Sequence, residues 1–162
     1  MKKICIFSIF SIFLLTGCAI QKNGDDLSGF IFKMNEKNES YNLSAEGFLY
    51  SEEENNFYKF FVVDEKEILL SFNTDTSGRL IEMNVVLESD FYNYDNTLIF
   101  LTDSIFSFIN NDDRTNEIIE SIDFYNAVKT TSKETLKTKN GNIEFLLDVT
   151  EIGTVITIYK DI

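Results

Sequence analysis

Histidine, tryptophan and proline are absent from these 162 residues, and cysteine occurs only as Cys5 and Cys18. Beyond residue 18 there is neither a thiol nor an imidazole. That stretch can build no Ser-His-Asp or Cys-His nucleophilic site, and the usual zinc ligand sets are missing. No G-x-S-x-G elbow, phosphate-cradling glycine loop or S-x-x-K pattern points to another active site. Basic residues are scarce as well: 14 Lys and Arg stand against 27 Asp and Glu, a formal charge of −13. Phosphate binding needs a basic patch, so nucleic acid is not an expected partner. Long apolar runs are also lacking. The extended apolar stretch, residues 4–15, falls short of the roughly 20 residues that a membrane-spanning helix takes.

That stretch has a definite setting. Lys2 and Lys3 precede it and Leu15-Thr16-Gly17-Cys18 follow it, the three-part layout of an export signal. At these four residues the chain resembles the bacterial lipoprotein class, whose lipobox reads as a branched aliphatic residue, two small residues and a cysteine. The resemblance covers the first eighteen residues. It implies cleavage between Gly17 and Cys18, a diacylglyceryl thioether on Cys18 and, in many bacteria, acylation of the new amino group. Two acyl chains, at about 0.8 kcal/mol per buried methylene, make anchoring persistent where one is marginal. An ordinary secretory signal and an uncleaved anchor helix are the alternatives. The expected organisation is a signal peptide over 1–17, a lipidated polar tether over 18–26 and one domain over 27–162, held by lipid on the extracytoplasmic face of a cell membrane, inner or outer. Losing Lys2 and Lys3 takes the formal charge from −13 to −15. Anionic headgroups repel such a domain, which then faces solvent or a partner.

Patterning predicts the fold. Phe30, Phe32 and Met34 alternate with Ile31 and Lys33, and Tyr41, Leu43, Ala45 and Leu49 alternate with polar residues; both stretches read as strands. Residues 57–63 form a third, apolar on both faces apart from Lys59. Residues 67–72 present Ile68, Leu70 and Phe72 on one side, and 79–88 present Ile81, Met83, Val85 and Leu87. Turn-rich segments at 51–56, 64–66 and 73–78 separate them, which predicts an antiparallel meander. Leu98, Leu101, Ile105, Phe108 and Ile109 then recur at helical spacing behind Asp95 or Asn96. Ile118, Ile119, Ile122, Tyr125 and Val128 mark a second helix capped by Thr115 or Asp113. Residues 134–139, an Asn140-Gly141 turn, 143–149 and 154–159 return to strands. The expectation is α+β: an antiparallel sheet of about eight strands, in the order five strands, two helices, three strands, with both helices on one face.

Candidate chemistry is thin. Asn73-x-Asp75-x-Ser77-Gly78 resembles the first half of an EF-hand loop, but the twelfth position is Asn84 and the flanks read as strands, so a hairpin turn is expected and no metal site. Glu52, Glu53, Glu54, Asp103, Asp112 and Asp113 hold the carboxylates that a glycosidase pair requires, in runs that read as solvated loops. No catalytic residue and no cofactor are expected. Aromatics are the more unusual resource, with 16 Phe and 7 Tyr. Most Phe fall on predicted core faces. Phe91, Tyr92 and Tyr94 sit in a polar connection between sheet and helix, where exposed rings can anchor a partner or cap the core. Tyr50, Phe57 and Tyr58 flank the acidic loop in the same way. The functional expectation is a membrane-anchored, non-catalytic protein-interaction module at the cell envelope, of the accessory, inhibitor or immunity type. The alternative is a lipoprotein that binds a small molecule or wall polymer in a pocket between sheet and helices.

Overall fold

The computed structural model describes residues 25–88, 93, 95–128, 134–150 and 153–161. Cys18, the expected signal and the three aromatics Phe91, Tyr92 and Tyr94 lie outside them. The described chain is α+β, a seven-stranded antiparallel open sheet with four helices, rather than eight strands with two.

The first correction is at the start. Residues 30–34, expected as a strand, belong to helix α1 (Leu27–Lys37). Leu27, Phe30, Ile31 and Met34 stand at i, i+3, i+4 and i+7, and the Asp26 carboxylate caps the helix by accepting the Gly29 N–H at 2.6 Å. The second expected strand, 41–49, is mostly two single 3₁₀ turns, Glu39–Tyr41 and Ala45–Gly47. Side chains take the backbone groups that a strand ladder needs. Asn38 Oδ1 accepts from the Ser40 N–H, Asn42 is left-handed at φ 42°, and the Asn35 amide brackets Leu43, donating to its carbonyl at 3.0 Å and accepting from its N–H at 2.8 Å.

Pairing begins with the short strand β1 (Leu49–Ser51) and continues through β2 (Asn56–Val63), β3 (Lys66–Thr74) and β4 (Leu80–Glu88) as the expected meander. Asp64 and Glu65, both at positive φ, form the two-residue turn between β2 and β3. Between β3 and β4 the register shifts, because Asn73 pairs with Glu82 while Thr74 pairs with Leu80. Ile81 is the extra residue, and Leu80 rather than Ile81 turns into the core. Helices α2 (Asp95–Ile109), α3 (Asp112–Ser121) and α4 (Phe124–Ala127) follow. The second expected helix is divided at Asp123, left-handed at φ 47°, and its first part is capped by Asn111, not by Thr115 or Asp113. Strands β5 (Glu134–Asn140), β6 (Ile143–Val149) and β7 (Gly153–Lys160) complete the sheet. Asn140 pairs with Ile143, so Gly141 and Asn142 are the central turn residues, with Gly141 at φ 60° as a type II′ turn requires.

The strand order is β1-β2-β3-β4-β7-β6-β5. The helical connection therefore leaves the middle of the sheet at β4, crosses one face and re-enters at the far edge. That face is the core, where Ile68, Leu70, Phe72, Met83, Val85, Phe145, Leu147, Ile156 and Ile158 are fully buried. Phe72 is its hub: its ring lies 4.7 Å from Phe30 on α1, 6.0 Å from Phe48 just before β1 and 6.2 Å from Phe108 on α2. Phe124 against Phe145 at 6.3 Å repeats the contact under α4. Lys160 closes one end, its amine 4.4 Å from the Phe108 ring centroid, bonded to the Phe108 carbonyl at 3.0 Å and paired with Asp25 at 3.3 Å. Burial pulls its pKa below the usual lysine value, against the opposing pull of Asp25.

Two substitutions test this packing. Phe72→Ala is expected to cost about 3–5 kcal/mol in urea unfolding, because three rings lose their common neighbour. Gly153→Ala is expected to cost about 1–3 kcal/mol, since an added Cβ would lie 2.7 Å from the Leu87 carbonyl oxygen, a backbone atom that cannot swing aside.

Candidate functional site

Among the described residues, helices cover one face of the sheet. On the other, cross-strand register assembles a surface from alternate residues of every strand. One row runs Phe60, Leu69, Val86, Val155 across β2, β3, β4 and β7. The next runs Leu49, Tyr58, Ser71, Asn84, Thr157, Leu146, Lys137 from β1 to β5. Helices pack on the opposite side, and Phe60, Val62, Leu49 and Val86 are 61, 71, 59 and 39% exposed. Apolar side chains that meet across four strands form a contiguous patch, unlike singly scattered surface hydrophobics, and such patches mark interaction sites.

The face has two zones. Around Phe60, Val62, Leu69 and Val86 it is apolar, rimmed by Glu67 and Glu88, with Lys66 paired to Glu88 at 2.9 Å. Toward the other end it is a polar network. The Glu82 carboxylate accepts from the Asn73 and Asn84 amides at 2.9 and 2.6 Å, and Thr157 donates to Asn84 Oδ1 at 2.8 Å. Tyr159 stands between Glu82 and Glu144 in the register. Its pKa is raised first by burial and then by those two carboxylates. Glu144 is held below the usual carboxylate range by its hydrogen bond from Lys137.

The other candidates divide clearly. Phe91, Tyr92 and Tyr94 lie outside the described residues, but the described ends of their segment stand beside the β2–β3 turn: Glu88 bonds Lys66, and the Asn96 amide donates to Asp64 at 2.8 Å. Tyr50 and Phe57 pack with ring centroids 4.8 Å apart, tilted by 42°, beside an open hollow of about 700 Å³ that Asp26, Ser28, Asn55 and Thr74 also line. Tyr58 points to the open face instead, paired with Leu49. The loop with EF-hand likeness is a hairpin turn. Asp75 accepts from the Ser77 N–H and hydroxyl at 2.8 and 2.7 Å and from the Arg79 Nε at 2.8 Å, bonds that depress its pKa. The acidic residues stand apart: Glu52, Glu53 and Glu54 in the β1–β2 loop, Asp103 on α2 bonded by the Tyr41 hydroxyl at 2.8 Å, and Asp112 and Asp113 in the first turn of α3. Among the described residues no group of three His, Cys, Asp or Glu is arranged to hold a metal ion, and no helix is long and apolar enough to cross a membrane.

Sequence reading missed the open face as a site. The signal was present in residues 57–63, whose apolar character on both sides meant that one side had to remain uncovered or find a partner. No protein-family model, curated protein or solved structure matches this chain.

Alkaline titration tests the environment of the two perturbed tyrosines. Tyr41, raised by burial and by the Asp103 carboxylate, and Tyr159 both start from a usual value of 10.0. The folded state holds these protons more tightly than the unfolded chain, so their contribution to stability is complete below pH 10 and is lost as pH rises through the raised values. In an absorbance titration Tyr159→Phe is expected to remove one late-forming phenolate. Tyr41→Phe is expected to make the loss of stability above pH 10 less steep than in the wild type.

Proposed function

We propose that this chain is a membrane-anchored extracytoplasmic lipoprotein whose domain is a non-catalytic protein-interaction module at the cell envelope, and that it binds through the open face of its sheet. The observation that carries the reading is the contiguous Phe60, Leu69, Val86, Val155 row with Val62 beside it, on the face that no helix of the described residues covers. A sheet with one solvated face normally alternates apolar-in with polar-out. Here Tyr58, Phe60 and Val62, outward on β2, are aromatic or aliphatic, a composition suited to the core of an interface. The lipobox over residues 15–18 supports the anchor and the envelope location. The strong negative charge supports a domain that stands away from anionic headgroups.

One observation favours a second reading, a small molecule or wall polymer as ligand. The hollow beside Tyr50 and Phe57 offers an aromatic platform and several converging polar groups. It is wide open, however, and buries less of a ligand than a formed pocket does.

The first reading is tested by a photocrosslinking residue placed at position 69 of the full chain in its own cells, with the same residue at position 125 on the helical side as a control. One recurring envelope protein is expected from position 69 and not from 125, lost with Val86→Glu and with Cys18→Ala. Capture that is equal at both positions and indifferent to Val86→Glu overturns it.

A further inference from the structure

The outer edge of β2 is only half covered. β1 pairs with Asn56, Phe57 and Tyr58 and stops at Leu49. Before it, Phe48 turns under the sheet, buried between Phe61 and Phe72 at 6.2 and 6.0 Å. Residues 59–63, Lys-Phe-Phe-Val-Val, therefore pair with β3 on one side and with no strand on the other among the described residues.

The direction of the free backbone groups follows from the turn. In a two-residue hairpin the flanking pair, here Val63 and Lys66, exchanges both hydrogen bonds, and antiparallel pairs alternate between bonded and non-bonded. Phe61 with Ile68 and Lys59 with Leu70 are then bonded pairs. Phe60 and Val62 are the non-bonded ones, so their N–H and C=O groups point away from β3, out of the edge. The same two residues carry the most exposed apolar side chains on the sheet. Edge strands are ordinarily protected by lysines, proline or shortness. The opposite edge, β5, has that protection in the exposed Lys137 and Lys139. The single lysine of the bare stretch, Lys59, is instead turned to the helix side with its amine 5.5 and 5.2 Å from the Phe48 and Phe61 ring centroids, and residues 60–63 contain no charge.

Resting on the interaction reading above, we propose that residues 60–62 are a docking edge that takes up an extended, basic segment of the partner protein as an additional strand. Charge selects this occupant. The edge ends at Asp64 and Glu65 and is flanked on the open face by Glu67 and Glu88; among the described residues Lys66, paired to Glu88, is the cation on that hairpin end. A segment with apolar residues at alternate positions, to continue the Phe60 and Val62 row, and Lys or Arg between or beyond them satisfies both features. A second copy of the chain, itself at −13, brings the wrong sign.

The test uses the full-length lipidated chain in detergent with three nine-residue peptides: alternating Lys and Val, the same peptide N-methylated at every second amide, and alternating Glu and Val. The Lys-Val peptide is expected to bind and to slow hydrogen exchange at the Phe60 and Val62 amides. Binding is expected to fall about tenfold or more on N-methylation, which keeps the charge and removes donors, and the Glu-Val peptide is expected not to bind. Val62→Pro removes an N–H that β3 does not use, so the fold is expected to persist while Lys-Val binding falls by a similar factor. If that variant loses its fold, the N-methylated peptide decides the same point on the unaltered chain. Equal binding of the methylated peptide, no binding of Lys-Val, or a dimer of the chain abolished by Val62→Pro overturns the proposal. Capture from position 69 that is lost with Val86→Glu but kept with Val62→Pro sinks the docking edge and leaves the interaction face standing. Capture indifferent to both sinks the two together.

Discussion

The Phe72 ring is where the separate parts of this domain become one. It lies on the third of seven strands and touches a residue of α1, the segment that leads into β1, and the C-terminal turns of α2. Each of those elements is too small to hold its conformation alone. An eleven-residue helix is marginal in water and a three-residue strand has no independent stability. Their order comes from the apolar surface they bury on the strand beneath them. Once the helices commit to Phe72, every strand residue of the same parity is committed with it, because a shift of one residue would exchange the two faces.

That commitment also creates the open face. A sheet covered on one side places half of its side chains in water, and most of that half is managed by ordinary means: the Glu82, Asn73, Asn84, Thr157 network at one end and the Lys137–Glu144 pair near the far edge. The row Phe60, Leu69, Val86, Val155, with Val62 and Leu49, is the exception. Residues placed against the local solvation pattern carry a cost in solubility and a liability for aggregation, which a core-only account of the fold leaves unexplained.

Legibility followed the physics of each segment. β3, β6 and β7 were readable because their alternate residues Ile68, Leu70, Phe72, Phe145, Leu147, Ile156 and Ile158 are fully buried, even though Leu69, Leu146 and Val155 put apolar side chains on the open face. β4 was readable except at the bulge, where the Asn73/Thr74 shift exchanges Leu80 for Ile81 and no sequence period reports it. α1 was misread because Phe30, Phe32 and Met34 fit a period of two as well as Leu27, Phe30, Ile31 and Met34 fit 3.6. Asp26, already assigned to the tether, was the cap that decided between them. The 3₁₀ segment was misread because its conformation depends on Asn35 reaching eight residues ahead to Leu43, a contact that periodicity does not encode. The candidate site was half legible: residues 57–63 showed apolar character on both sides, but which side stayed wet depended on the crossing of α2, a long-range matter.

The two ends of the sheet have different chemistry, and their positions relative to the chain's start give that difference a direction. Asp25, the first described residue, accepts the Leu80 N–H at 2.7 Å and pairs with Lys160, so the chain enters the fold where β4 begins and β7 ends. The β2–β3 turn, Val62, Lys66 and Glu88 stand at the opposite end of the same strands, about 25 Å away at 3.4 Å per residue. The apolar half of the open face and the bare edge of β2 stand at the opposite end of the strands from Asp25, and so lie far from the end where the proposed tether would join the fold. Their carboxylate neighbours, Asp64, Glu65, Glu67 and Glu88, act over roughly a Debye length, about 8 Å in physiological salt, so the field at that end of the sheet is negative over the reach of the bare edge.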